Sequence, residues 1–421
     1  MSKNLKVFTN NIEPEAMEQI DLLLEQEAFK DSKIRIMPDV HAGKGCVIGF
    51  TGDLGNKVIP NIVGVDIGCG MLCVKLGNID IDLKKLDKFI RKEIPCGRNV
   101  HDKLPKYQFD MQYLKCKNEL KNKDNWLEKS MGTLGGGNHF IEVDIDKYNN
   151  KYLVIHTGSR NLGKQVAEIY QEKAIKYCSY EEQMNNEKQN IIKEYKEQHR
   201  EKEIQEKLIE ISKKYEGKAK VPKDLGYLEG KLREDYLHDM KICQEFAHYN
   251  RLEIAREILD NLFGANQFTL VNIKLLDFET AKKVNVSTSL AYFETIHNYI
   301  SFEDNIVRKG AISAKKGEKV LIPMNMRDGC IIGIGKGNDD WNCSAPHGAG
   351  RIMSRMQAKE KLNLEEYKKT MKDIYTTSVN EDTIDEAPMA YKPMEEIIEN
   401  IKDTIEIVEI IKPIYNFKAS E

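Results

Sequence analysis

The feature that most constrains this fold is a change of texture along the chain. On either side of residues 165–263, glycine-rich turns punctuate short apolar runs, the pattern of strands joined by tight loops. Inside that interval glycines thin out. Residues 180–218 are dense in Lys, Glu and Gln, as solvated helices are. Residues 235–263 have the spacing of a long amphipathic helix with Tyr236, Met240, Cys243, Ala247 and Ile254 turned inward. We therefore read 165–263 as a helical insertion in a strand-rich domain. This pattern alone admits either an α+β core or a doubly wound sheet.

The remaining elements follow from local signals. Pro14 suits the first turn of a helix over 13–29, with Ala16, Ile20, Leu23, Leu24 and Ala28 on one face. Strands are expected at 33–37, 46–51, 58–65 and 71–76, and a helix at 82–92; residues 101–130 are polar and weakly helical. After the insertion, strands return at 305–314, 319–323 and 330–334. They are followed by a helix over 350–362, a helix near 394–402 and a strand near 405–411.

Composition excludes some classes. The best apolar stretch, residues 58–76, is cut by Pro60, Asn61 and Asp66, too polar for a membrane span. The start Met-Ser-Lys-Asn-Leu-Lys lacks a secretory signal. Nine cysteines without a framework spacing read as reduced thiols, so a cytoplasmic location is expected. Lys+Arg 64 against Asp+Glu 67 gives no global attraction to polyanions. A local excess does occur between Arg308 and Arg355. Nine cations (Arg308, Lys309, Lys315, Lys316, Lys319, Arg327, Lys336, Arg351, Arg355) face four acids there.

Five of nine histidines sit in short motifs with glycine or Asp nearby: His41, His139, His156, His297 and His347. Loops at strand ends concentrate function. In Val65-Asp66-Ile67-Gly68-Cys69-Gly70, an Asp and a Cys three apart on a turn can face one metal. With His139, His156 and His297 the set suits two divalent cations sharing a thiolate, and ligand softness admits zinc or manganese. Gly135-Gly136-Gly137-Asn138-His139-Phe140-Ile141-Glu142 allows close backbone approach to a phosphate or nucleotide. Glu142 is placed to accept from a purine edge or to orient a metal ligand. His347-Gly348-Ala349-Gly350-Arg351 is expected to open a helix, an anion site where a neutral imidazole can attack phosphorus.

Together these motifs resemble the RtcB family of RNA ligases. The matching stretches run in order from Pro38-Asp39-Val40-His41 through the Asp66, His139 and His156-Thr157-Gly158-Ser159-Arg160 segments. They continue through Asn250-Arg251, His297-Asn298-Tyr299, Arg308-Lys309-Gly310-Ala311, the His347 loop, Ala390-Tyr391-Lys392 and Lys418. The resemblance implies one α+β catalytic domain over 1–421, a mixed and mostly antiparallel core with its site in a central cleft. It implies joining of RNA 2′,3′-cyclic phosphate or 3′-phosphate ends to 5′-hydroxyl ends, with GTP and two Mn²⁺, in RNA repair or tRNA splicing. Asp66, Cys69, His139, His156 and His297 would hold the metals, and His347 would take GMP. Asn138 to Glu142 (with Phe140 and Ile141), His297, Asn298, Pro323, Met324, Asn325, Met326, Cys330, Gly348, Ala349, Gly350, Tyr391 and Lys418 (alternatively Lys412) would bind the nucleotide. An activating protein partner and a monomer or weak homodimer are the assemblies it allows.

One stretch departs from the family pattern, Pro-Gly-Ser-Met-Gly followed by a second Ser. This chain reads Pro323-Met324-Asn325-Met326-Arg327-Asp328-Gly329-Cys330. Asn325 and Cys330 replace two hydroxyls. Asn still hydrogen-bonds, whereas a thiol is a weak donor.

Overall fold

The computed structural model describes residues 4–107, 109–216, 221–265, 267–273 and 289–419; residues 217–220 of the expected insertion lie outside them. An eight-stranded sheet runs in the spatial order Lys319–Asn325, Gly329–Gly335, Ile405–Lys418, Phe140–Ile145, Lys151–Thr157, Gly70–Gly77, Ser289–Ile296 and Thr269–Asn272. Every neighbouring pair in it is antiparallel except the last. A five-stranded sheet orders Leu5–Val7, Ile34–His41, Ile48–Asp53, Ile306–Lys309 and Asn298–Ser301, with only its first pair parallel. Ala311–Ser313 and Ser344–Pro346 form a short ladder of their own. The fold is α+β with mixed, mostly antiparallel sheets.

The interval 165–263 contains two kinds of helix. Arg160–Cys178 and Gly230–Phe263 bury Tyr170, Tyr236, Met240, Cys243 and Phe246 in one core cluster with Ile20 and Ile62. Glu181–Glu197 and Ile204–Glu216 pair with each other and are largely solvated, joined by a Lys214–Glu187 ion pair.

Several local expectations are corrected. The run 58–65 is not a strand: Pro60 opens the short helix Pro60–Val63, since it has no N–H for a ladder and its φ suits a first helical turn. The expected helix over 350–362 begins only at Arg355, because Ser354 and Gln357 form a capping box that fixes the start. His347 is therefore on a loop and not at a helix N-terminus. The helix over 13–29 ends at Leu24, followed by a 3-10 turn at Glu27–Phe29. The strand expected at 405–411 continues to Lys418 past a bulge at Pro413, and that extension carries Lys418 to the cleft.

Candidate active site

Strand register gathers the five metal-ligand candidates at one edge of the large sheet. Gly70 pairs with Thr157 on one side and Ile296 on the other, and Phe140 pairs with His156. Cys69, His139, His156 and His297 thus lie at or just beyond one end of four neighbouring strands. The backbone locks this: His297 N–H donates to the Cys69 carbonyl at 3.0 Å, and Gly68 N–H to the Asn298 carbonyl at 2.7 Å. Asp66 comes close because residue 158 is glycine; a Cβ there would lie 2.2 Å from its Oδ1.

Two overlapping donor sets result. Asp66, Cys69 and His139 form one, and Cys69, His156 and His297 the other, with ligand atoms in each within 4.8 Å of one another. The Cys69 sulfur is 3.4 Å from His139 Nε2 and 3.2 Å from His156 Nε2, while His156 and His297 bring their Nε2 atoms to 3.4 Å. His139 Nδ1 lies 2.9 Å from the Leu134 carbonyl, which orients the ring so that Nε2 faces Cys69 and Asp66. Burial holds His156 and His297 well below the usual imidazole pKa, so both are neutral. Burial opposes ionisation of Asp66, but His139 and Arg160 beside it prevail and hold its carboxyl far below the ordinary range. Burial and Asp66 push the Cys69 thiol up. A neutral imidazole pair, an ionised carboxylate and a thiol converging on shared points fit divalent cations with a bridging sulfur.

His347 stands beside this cluster, its ring centroid 4.9 Å from that of His297. Its Nδ1 lies 2.6 Å from Asp39 Oδ2, which also accepts the His347 backbone N–H at 3.0 Å. Asp39 is fully buried. A carboxylate on Nδ1 leaves Nε2 as the free, lone-pair-bearing nitrogen. Gly350 closes the loop at φ +74°, where a Cβ would come 2.7 Å from the Asp39 carbonyl oxygen.

The cleft next to His347 is lined by Asn138, Phe140, Glu142, His156, His297, Pro323, Met324, Asn325 and Met326. Gly348, Ala349, Gly350, Tyr391 and Lys418 complete the predicted lining, and His41, Arg351, Arg355 and Glu386 join it. Four predicted nucleotide residues lie elsewhere. Ile141 alternates away from the cleft into the core, as strand periodicity requires. Asn298 accepts the Gly310 N–H through Oδ1 at 2.9 Å. His139 borders the opposite side of the metal cluster. Cys330 is fully buried behind Glu142, within 4.8 Å of Glu142 and Asp144. Lys412 lines a separate hollow with Arg327 and Asp328.

Buried polar and charged groups to which the sequence assigned no role hold this site. Arg251, fully buried, reaches from Gly230–Phe263 to the carbonyls of Gly68 (2.8 Å) and Thr157 (2.9 Å) and pairs with Glu294 at 2.7 Å. Asn250 accepts the N–H groups of Gly132 and Thr133 and donates to the Gly158 carbonyl. A signal was available: a cation at residue 251, one turn after the inward Ala247, is a charge on the buried face. Glu386 binds Lys418 and the Tyr391 hydroxyl, the latter at 2.6 Å, and Arg355 approaches it at 3.0 Å. Nothing in its acidic neighbourhood, Glu381–Glu386, marked it out. Two cations of the basic excess at 308–355 are spent inside the molecule. Arg308 is buried and pairs with Asp304, and Lys309 donates to the carbonyls of Lys44 and Asn61.

A family model described as tRNA-splicing ligase RtcB matches residues 27–129 and 108–419. The RNA-splicing ligase RtcB of Escherichia coli (strain K12) is 28% identical over 446 residues, covering 99% of this chain and 97% of that protein. The tRNA-splicing ligase RtcB of Pyrobaculum aerophilum is 26% identical, covering 86% of this chain and 82% of its own. With a mostly antiparallel α+β fold, and with family-model matches reaching from residue 27 to residue 419, the chain belongs to the RtcB family of RNA ligases.

Proposed function

We propose that this enzyme joins an RNA 3′-phosphate or 2′,3′-cyclic phosphate end to a 5′-hydroxyl end, using GTP and two manganese ions, with His347 as the nucleophile. The observation that carries this reading is the Asp39–His347 contact at 2.6 Å beside the histidine and cysteine cluster. Asp39 fixes the imidazole so that Nε2 attacks the α-phosphorus of GTP, forming an N–P bond as pyrophosphate leaves. An oxygen of the RNA 3′-phosphate then takes the GMP group from His347. The 5′-hydroxyl attacks the activated 3′-phosphate, a new phosphodiester forms, and GMP departs. A cyclic end is first opened by water to the 3′-phosphate.

Asp66, Cys69 and His139 would hold one cation, and Cys69, His156 and His297 the other, supplying Lewis acidity to the phosphates. Phe140, Glu142, Asn325, Gly348 to Gly350, Tyr391 and Lys418 would seat the nucleotide, with Lys418 ordered by Glu386. Residues 1–421 would act as one catalytic domain. Buried polar groups beneath the cleft fix its wall and leave few donors to reorganise during reaction.

Intact-mass measurement after incubation with GTP and MnCl₂ tests the reading. A GMP-sized increase is expected in the wild type and not in His347→Ala. Asp39→Asn, which spoils the tautomer without removing bulk, should slow adduct formation by about a hundredfold or more. Release of phosphate from RNA ends with no adduct under any nucleotide would instead mark a dimetal phosphoesterase.

A further inference from the structure

The metal-ligand cluster is reached from two sides. His156 and His297 border the nucleotide cleft, whereas Asp66 and His139 border a second hollow that also holds Arg160, Arg98, Lys164 and Trp126. That hollow runs on into a third, lined by Lys121, Lys123 and Lys129, the two sharing Val100 and Trp126. Beyond Arg160, the groove carries five cations (Arg98, Lys121, Lys123, Lys129 and Lys164) and two carboxylates, Asp102 and Asp124. Among the described residues Lys164 has only a loose 3.9 Å pair with Glu168, and the other four have no ion-pair partner. These cations contrast with Arg308 and Lys309, which are buried and bonded within the fold.

The groove is a built surface. Gln165, on Arg160–Cys178, exchanges hydrogen bonds with both the N–H and the carbonyl of Lys121, at 2.7 and 3.1 Å. His101 N–H donates to the Lys129 carbonyl at 3.1 Å. Asp124 and Asn125 both adopt left-handed φ, near +55°, and present Trp126 half-buried with one side against the core. Unpaired cations along a groove, with an aromatic ring beside them, are the chemistry that holds a single nucleic-acid strand: phosphates meet the cations and a base stacks on the ring.

Resting on the ligase reading above, we propose that this groove holds the RNA strand bearing the 3′-phosphate. With guanine nucleotide filling the cleft beside His347, the RNA end arrives from the open Asp66–His139 side. The strand that must bring a phosphate to those ligands is the 3′-phosphorylated one. Arg160, 3.2 Å from His139, stands at the head of the groove.

The test uses the full chain with MnCl₂ and two fluorescent RNA oligonucleotides, one ending in a 3′-phosphate and one in a 5′-hydroxyl with its 3′ end blocked. In the variant Lys121→Glu/Lys123→Glu/Lys129→Glu, the 3′-phosphate oligonucleotide should bind at least about tenfold more weakly. The slope of log affinity against log salt should fall by about 2. Sealing should lose affinity for this strand (a higher KM) more than kcat. GMP adduct formation should be unchanged, which shows that the variant is folded. In a Trp341→Phe background, where Trp126 is the sole tryptophan, the same oligonucleotide should quench fluorescence. Binding within twofold of wild type, or loss confined to the 5′-hydroxyl oligonucleotide, would overturn the proposal. Groove-dependent binding in a wild type that forms no GMP adduct would sustain the groove and overturn the ligase reading.

Discussion

Two glutamates line the same cleft, both almost fully buried, and the fold gives them opposite charge states. Burial opposes ionisation of Glu386, but Lys418 and Arg355 outweigh it and hold its pKa down to about 2. Burial also opposes ionisation of Glu142, and there a second acid, Asp144, pushes in the same direction and the two outweigh Asn416 and Lys418, so Glu142 rises well above the carboxylate range. Asp144 is raised by burial to about 7, and neither of its oxygens has a hydrogen-bond partner within the usual geometric limits among the described residues. Burial therefore does not decide whether a carboxylate is charged; its neighbours do. One wall of the cleft carries a fixed anion ordering a lysine, and its floor carries a pair of acids that resist ionisation.

The largest expected effect comes from removing the fixed anion. Glu386→Gln leaves Lys418 and Arg355 without their shared counter-charge and should cost about 3–5 kcal/mol in urea unfolding at pH 7. In the wild type this contribution is present above the unfolded carboxylate pKa and is lost as pH falls through about 2. A loss below about 1 kcal/mol would break the contrast.

The acid pair predicts the opposite slope. Because Asp144 titrates higher in the folded state, its contribution is full below the unfolded pKa and declines as pH rises through about 7, and Glu142, also raised, acts in the same direction. Asp144→Asn removes the like charge, so the decline between pH 4 and pH 7 should shrink by about 2 kcal/mol. An unchanged slope would show that burial does not raise Asp144. The smallest effect is expected from Cys330→Ser. The Cys330 thiol lies beside Asp144, and a hydroxyl is a stronger donor, so the ionised form should gain about 0.5–1.5 kcal/mol and the same slope should flatten slightly.

Much of this molecule was legible in the sequence wherever a local rule operates. The inward face of Gly230–Phe263, including Tyr236, Met240, Cys243, Ala247 and Ile254, follows from helical spacing alone and is buried throughout. Asp82 caps Leu83–Glu93 through its side chain, close to the expected start. The motif histidines lie together at the cluster or lining its cleft. Misreadings came where local signals are degenerate. A short apolar run such as 58–65 does not distinguish a strand from a buried helical turn. Three small residues after His347 look like a helix start until Ser354 supplies the real cap.

Single residues carried the identity of the donors. Asp, Cys and His in glycine-rich turns specify a donor set suited to divalent cations because softness and charge belong to the side chain itself. Register and long-range pairing decided the rest. Asp39 meets His347 across 308 residues, Glu386 meets Lys418 across 32, and Cys330 turns its thiol to Asp144 and away from the cleft. The cations of the proposed RNA groove come from the segments around residues 98, 121–129 and 164, whereas the dense basic stretch at 308–355 supplies none of them and buries Arg308 and Lys309. The physical reason is range: covalent neighbours set propensity and donor type, but a charge state depends on whatever the fold brings within a few ångströms.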